Sequence, residues 1–234
     1  MFYGNYFGGY GGGTWMFFLF AAILFASYAQ MRVSGAYNKY SKISNGTGYT
    51  GAQIARMILD KNGLQHVRIE YTPGRLTDHY DPRTRVLRLS GPIYNGNTVA
   101  AMSVAAHEVG HAIQHDRGYF MLVLRNNLAP VVGFGSRFVW VFVLIGLLIS
   151  SPSLINIGIA LFLGIVVFQI VTLPVEINAS RRALAQLEDG ISPRDKLGPS
   201  QNMLKAAALT YVASTLVAIG NLLRLLALTN NRRR

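Results

Sequence analysis

The chain has 234 residues, of which 51% are hydrophobic and only 14% are charged, against about 25% charged in a typical soluble domain. This composition excludes a disordered chain, and with 22 Lys and Arg against 10 Asp and Glu it indicates a membrane protein whose basic residues meet an anionic bilayer surface, with no nucleic-acid partner. The absence of cysteine excludes disulfides, thiolate zinc sites and a cysteine nucleophile, so a metal site must use His, Asp or Glu.

The N-terminal part of the chain predicts one membrane span. A Gly/Tyr-rich tail, 1–13, precedes the apolar run 14–29, which is close to the length that crosses a bilayer core. The first basic residues, Arg32 and Lys39, follow this run, whereas a secretory signal would carry them before it. We therefore expect a first transmembrane helix that is retained as an anchor.

The second half of the chain predicts three further membrane helices. The uncharged turn SSPS divides the region 131–175 into two apolar runs, 131–149 and 154–175, which predict a helical hairpin. The segment 206–228 predicts a transmembrane or membrane-associated helix, and 229–234 is a basic tail. The fold class expected from these segments is a mainly α membrane protein with about four transmembrane helices.

Basic residues are concentrated in two of the segments between the spans. The segment 32–130 contains 12 Lys and Arg, and the segment 176–205 contains five. The positive-inside rule predicts that both face the cytoplasm and that the chain starts outside. The arginines at 232–234 disagree with this topology if the fourth segment crosses the membrane.

The segment 30–130 carries both helix and strand signals and predicts a small α+β domain. Thr50 opens a capping box before an amphipathic helix that Gly63 ends. The runs at 67–71 and 84–90 alternate like half-buried strands, and together they predict a small hairpin.

The helix predicted over 98–116 carries the chemical signal, the motif H-E-x-x-H. Because His107 and His111 are four residues apart, their rings leave the same helix face and can bind one ion. Glu108 is offset by about 100° and lies beside the metal, where it can act as the base for a zinc-activated water. The alternative is a surface helix with no metal, but the apolar setting of the motif favours a zinc site.

A zinc site of this kind needs a third protein ligand. His115 lies four residues beyond His111 and further around the helix, so we expect it to support a ligand or the structure. Glu176 is the best candidate, since two spans separate it from His111 and both therefore lie on one side of the membrane. Pro174 can begin or kink a helix there, with Glu176 in its first turn; the alternative role for Glu176 is an acid favoured by the helix dipole.

Three segments, LTDHYDPRTRVLRLS, AAHEVGHAIQH and LPVEINASRRAL, resemble the YugP-like neutral zinc metallopeptidase family over most of residues 50–205. The H-E-x-x-H motif followed by a remote acid is also similar to the gluzincin pattern of membrane peptidases such as HtpX. In those proteins the motif E-x-x-x-D supplies an aspartate that supports a zinc-binding histidine, and this chain has Ser180 at that position.

The resemblance implies a membrane-anchored zinc endopeptidase of the gluzincin type with one Zn²⁺ per chain. The implied ligands are His107, His111 and Glu176, and the implied base is Glu108. It also implies a bacterial plasma-membrane protein, which the basic segments orient with its catalytic domain on the cytoplasmic side.

Weaker predictions concern the substrate. His79, Tyr80 or Arg182 could stabilise the transition-state oxyanion in addition to zinc. The strand predicted at 84–90 is the natural candidate to pair with an extended substrate through an exposed edge, and a buried or fully paired strand is the alternative.

The leading functional hypothesis is hydrolysis of peptide or protein substrates at the membrane surface. It places a zincin-like catalytic domain at 30–130 and the third ligand on a helix and loop at 176–205. A site-2-type intramembrane protease is the first alternative, but such enzymes usually take a third ligand from an N-P-D-G segment, which this sequence lacks. A catalytically silent zinc-containing membrane adaptor is the second.

Overall fold

The structure, a computed structural model, describes residues 11–230 and combines long helices with one small sheet. In chain order the elements are α1 Gly11–Tyr40, α2 Gly51–Lys61, β1 Arg68–Thr72, β2 His79–Asp81, β3 Val86–Ser90, α3 Gly91–Tyr94, α4 Val99–Asp116, α5 Phe120–Leu148, α6 Pro152–Gln186 and α7 Arg194–Asn230. This mainly α architecture with a small α+β part confirms the predicted fold class. Most of the predicted N-terminal tail and residues 231–234 of the basic tail lie outside the described residues.

Within residues 11–230, four helices are long and apolar enough to cross a membrane. They are Trp15–Tyr40, Phe120–Leu148, Pro152–Ile191 and Arg194–Ala227. Each includes residues beyond the apolar run that predicted it, because a helix continues in water wherever its polar residues still favour helical backbone. Hydrophobicity therefore located the spans but not the helix ends.

The helix α6 is continuous through Pro174, so Glu176 lies inside it. The expectation that Pro174 begins a helix, with Glu176 in its first turn, is therefore wrong. Proline removes one backbone N–H from the helical ladder, and α6 has hydrogen-bonded helical turns on both sides of that position. Glu176 therefore lies within a long, continuous helix and not in the first turn of one.

The chain folds as two compact units. The membrane unit combines the described residues of Met1–Tyr28 with Leu124–Leu173 and Tyr211–Arg234, and the site unit combines Ala29–Val123 with Pro174–Thr210. His107, His111 and Glu176 all belong to the site unit.

The sheet of the site unit differs from the predicted hairpin. Its strand order is β1-β3-β2, with β1 parallel to β3 and β2 antiparallel to β3. The runs at 67–71 and 84–90 are therefore parallel neighbours, and the short strand β2, which the sequence analysis missed, is the hairpin partner of β3. The tight turn forms because Asp81 accepts hydrogen bonds from the Arg83 N–H and the Thr84 hydroxyl, at 2.9 and 2.7 Å.

Of the two alternatives for β3, the exposed edge is wrong and the fully paired strand is confirmed, since β3 is the central strand with a partner on both sides. The alternation of apolar residues in β3 is compatible with either an edge strand or a central strand. The pattern indicates which face of the strand is buried, but not which of its edges are paired. Among the strands of residues 11–230, β2 has a strand partner on one edge only, and it packs against α4.

The helix α4 is the centre of the site unit and is buried along most of its length. It packs against α2, whose capping box between Thr50 and Gln53 is present as predicted. Ile54, Ile58 and Leu59 of α2 are fully buried in the same cluster as the apolar face of α4. The histidine-bearing helix is thus held by an apolar core that leaves it little freedom to move.

Thr98 caps α4 by accepting a hydrogen bond from the Ala101 N–H at 3.2 Å. Thr98→Ala should lower the free energy of unfolding by about 1 kcal/mol because that donor loses its partner. Thr98→Ser retains the hydroxyl and should remain close to the wild type. Thermal unfolding in detergent is the measurement, and an equal midpoint for Thr98→Ala and Thr98→Ser would contradict the role of the cap.

Candidate metal centre

Two histidines of α4 face the same point in the site unit. His107 and His111 lie one helical turn apart, with ring centroids separated by 4.9 Å and ring planes at 85°. His111 is 7% exposed and His107 is partly buried. The four-residue spacing therefore produces the convergence of the rings that it predicted.

Glu176 of α6 reaches the same point from 69 residues further along the chain than His107. Its Oε2 lies 3.2 Å from His107 Nε2 and 3.5 Å from His111 Nε2. Ligands at zinc distances on the corners of a tetrahedron are about 3.4 Å apart. Within the described part of the chain these three residues form the group whose donor atoms all lie within 4.8 Å of one another. Two imidazoles and one carboxylate in this arrangement fit Zn²⁺.

A close contact between two helices brings Glu176 to the histidines. A Cβ on Gly110 would lie 2.6 Å from the carbonyl oxygen of Ala179, which is part of the α6 backbone. Only hydrogen fits at this position, so α4 and α6 approach each other here as closely as their backbones permit. Gly110 occupies a free position of the H-E-x-x-H motif, and its role depends on a contact far along the chain.

The ring nitrogens that face away from Glu176 also have partners. Ser180 Oγ lies 3.2 Å from His107 Nδ1, and Gln114 Oε1 lies 3.0 Å from His111 Nδ1. A partner at Nδ1 holds each ring and leaves Nε2 for a metal. Ser180 was singled out in the sequence, whereas Gln114 was not; the available signal was a polar side chain three residues after His111 in an apolar helix.

Glu108 lies beside this cluster with its side chain partly buried. Burial raises the pKa of Glu108 to about 7, and the negative charge of Glu176 acts in the same direction. The positive charge of His107 and a hydrogen bond from the backbone N–H of Tyr80 oppose this rise in pKa. A carboxyl group with a pKa near neutrality can both accept and release a proton.

The remaining predicted residues contact other partners. The hydroxyl of Tyr80 lies 2.9 Å from His115 Nδ1, and the ring nitrogen Nδ1 of His79 lies 2.8 Å from the carbonyl oxygen of Thr77. Arg182 Nε donates a hydrogen bond of 2.8 Å to Asn178 Oδ1. His115 and Tyr80 thus form a pair between α4 and β2, and Arg182 is linked to its own helix.

Comparison with known proteins agrees with the cluster. The model of a family described as "Putative neutral zinc metallopeptidase" matches residues 15–230. The chain belongs to this family. It is also 47% identical over 219 residues to the "Putative membrane protease YugP" of Bacillus subtilis, an alignment that covers 93% of this chain and 97% of that protein. No solved structure matches the chain.

The family resemblance found in the motifs is thereby confirmed. Family membership supports a zinc peptidase role, and the cluster of His107, His111 and Glu176 can hold the metal. The relative's name and the four apolar helices indicate a membrane protein.

Gly110→Ala should lower zinc affinity by at least about tenfold, because the new methyl group must push the α6 backbone, and Glu176 with it, away from the histidines. Gly35→Ala is the matched control, since a Cβ at Gly35 of α1 meets no atom within 4 Å. Chelator competition on the detergent-solubilised chain measures the affinity. Equal zinc affinity in the two variants would show that the close contact does not position Glu176.

Proposed function

We propose that the chain is a membrane-anchored zinc-dependent endopeptidase of the gluzincin type that hydrolyses peptide bonds near the membrane surface. The observation that carries this proposal is the meeting of His107, His111 and Glu176 at donor distances of 3.2 and 3.5 Å, beside Glu108. Membership of a zinc metallopeptidase family supports the same assignment. One Zn²⁺ per chain satisfies this ligand set.

The three ligands and the base have separate roles in this mechanism. When bound, zinc polarises the scissile carbonyl and increases the acidity of a water molecule. Glu108 accepts the proton of the attacking water and then delivers it to the leaving amine. A pKa of about 7, raised by burial, suits Glu108 to both transfers near neutral pH. Ser180 holds the ring of His107 from its Nδ1 side.

We propose that the substrate lies along β2 instead of β3. The strand β2 packs against α4 and has β3 on one edge, which leaves the opposite edge for an extended peptide. The backbone of Tyr80 in this strand lies near enough to Glu108 to lower its pKa, so the strand borders the proposed base. A peptide added to this edge would present its backbone near the proton-transferring group.

Substitutions of the proposed metal ligands and of the proposed base should have different effects on zinc binding and hydrolysis. His107→Ala and Glu176→Ala should each lower zinc affinity by more than about 100-fold, because each removes a direct ligand and even supporting residues cost 10- to 100-fold. Glu108→Gln should retain one zinc per chain and lower the hydrolysis of a fluorogenic peptide library by about 10²- to 10⁴-fold, since it removes the proton acceptor.

Metal content and peptide hydrolysis of the full chain measure these effects, and Glu188→Gln makes the same chemical change at an exposed position. If the wild-type protein binds zinc but hydrolyses no peptide, the result would favour a catalytically silent adaptor over an enzyme. Zinc binding that survives both ligand substitutions would overturn the proposed site.

We further propose that the site unit faces the cytoplasm from the bacterial plasma membrane, because basic residues are concentrated in its two segments. The chain has no cysteine, so single cysteines can report the side of each segment. His66→Cys, exposed in the site unit, should react with a membrane-impermeant maleimide in inverted vesicles only. Ser153→Cys, exposed at the start of α6, should react in right-side-out vesicles only. The reverse pattern would contradict the sidedness, and labelling of both from one side would contradict the hairpin.

A further inference from the structure

A line of polar side chains leads away from His111 and joins α4 to α6 within the site unit. Gln114 Oε1 lies 3.0 Å from His111 Nδ1. Gln114 Nε2 donates to the carbonyl oxygen of Val175 at 2.8 Å and to Asn178 Oδ1 at 2.9 Å. Arg182 Nε donates to the same Asn178 oxygen at 2.8 Å. Gln114 is fully buried, so these protein groups satisfy its amide in place of water.

The chemistry of the groups at the far end determines the direction of every hydrogen bond in this line. A guanidinium has only donors, so the atom of Asn178 that faces Arg182 must be the oxygen. The backbone carbonyl of Val175 is also an acceptor only. Gln114 therefore meets two acceptors on one side and must point its NH₂ group at them. Its oxygen is left to face His111.

This orientation selects one tautomer of His111. An amide oxygen facing Nδ1 accepts a hydrogen bond, so Nδ1 carries the proton and Nε2 keeps its lone pair. Nε2 lies 3.5 Å from the carboxylate oxygen Oε2 of Glu176, which is also an acceptor, but the Gln114 oxygen is the nearer acceptor, at 3.0 Å from Nδ1. The lone pair thus lies at the position where a metal would bind, before any metal arrives. The opposite amide orientation would turn an NH₂ group towards Nδ1 and favour a proton on Nε2, which would block the ligand atom.

We propose that Gln114, held by Asn178 and Arg182, is a positioning residue that presets the tautomer of His111 for metal binding. This inference rests on the proposed function, because it takes His111 as a zinc ligand. It assigns a role to Gln114 and Asn178, for which the sequence pattern alone predicted none. In this proposal Arg182 orients Asn178, which is a different role from stabilising the oxyanion.

His107 provides an internal comparison. Its Nδ1 faces the hydroxyl of Ser180 at 3.2 Å, and a hydroxyl can either donate or accept. The Ser180 contact therefore holds the ring without selecting a tautomer. In the metal-free protein we expect a single Nδ1–H tautomer at His111 and no comparable selection from Ser180 at His107.

Long-range ¹H–¹⁵N correlation spectra of the full chain, labelled at histidine and freed of metal in detergent, report the tautomer directly. The wild type should show the Nδ1–H form of His111 at about pH 8, where free imidazole is neutral. Gln114→Leu should lose this signature and bind zinc about 10- to 100-fold more weakly in chelator competition. Gln201→Leu, at an exposed position of α7, is the matched control and should change neither readout.

Substitutions at Asn178 test the rest of the line. Asn178→Asp still offers an acceptor to both Gln114 and Arg182, so the His111 tautomer should be preserved. Asn178→Leu removes one of the two acceptors that hold Gln114, and its loss of zinc affinity should be smaller than that of Gln114→Leu because the Val175 carbonyl remains. A purely structural role for Asn178 would make the Asp and Leu variants equally defective.

The proposal is overturned if the wild type shows the Nε2–H form, or if Gln114→Leu keeps the wild-type tautomer. These outcomes can occur in a protein that binds zinc and hydrolyses peptides, so they leave the proposed function intact. Zinc binding without peptide hydrolysis would contradict the proposed enzyme activity. The tautomer of His111 could still be measured in that protein, so the two proposals fail separately.

Discussion

The candidate metal centre depends on the close approach of α4 and α6 at Gly110 and Ala179. The histidines lie on one helix and the carboxylate on another, and 69 residues of chain separate His107 from Glu176. A side chain larger than hydrogen at Gly110 would meet the backbone carbonyl of Ala179 at 2.6 Å. Since donor atoms must come within a few ångströms of one ion, the distance between these two helices decides whether a site exists.

The same contact places a second layer of polar groups around the ligands. Gln114 and Ser180 hold the two imidazoles from behind, and Gln114 in turn bonds to α6 through Val175 and Asn178. Three of these contacts cross between α4 and α6, and the contact of Gln114 with His111 lies within α4. The packing of α4 against α6 thus has two consequences. It brings the proposed ligands together, and it fixes the orientation of the two imidazole rings.

Electrostatics then distinguishes the two acids of the site. Glu176 is 4% exposed and lies against two imidazoles, an environment suited to a carboxylate that binds a cation. Burial raises the pKa of Glu108 to about 7, which suits a group that accepts and returns a proton. Their neighbours, and not their residue type, distinguish the proposed ligand Glu176 from the proposed base Glu108.

Much of this protein could be predicted from local pattern. The four apolar helices, the capping box at Thr50 and the helix of the H-E-x-x-H motif each depend on residues within a few turns of one another. Counting spans was consistent with Glu176 as the third ligand, because an even number of crossings returns the chain to the same side. The pairing of β3 was predicted wrongly, since alternation does not reveal which strands lie at its edges.

Tertiary structure decided what depends on residues far apart in the chain. Gly110 is one of the free positions of a five-residue motif, and only the α6 backbone opposite it explains why it is glycine. Gln114 looks like any polar residue on a helix until Val175, Asn178 and Arg182 surround it and orient its amide. The sequence by itself determined the helices, the spans and the kinds of donor atom, because these follow from neighbouring residues. The distances between donors and the direction of the hydrogen bonds behind them required the packing of α4 against α6, which no local pattern encodes.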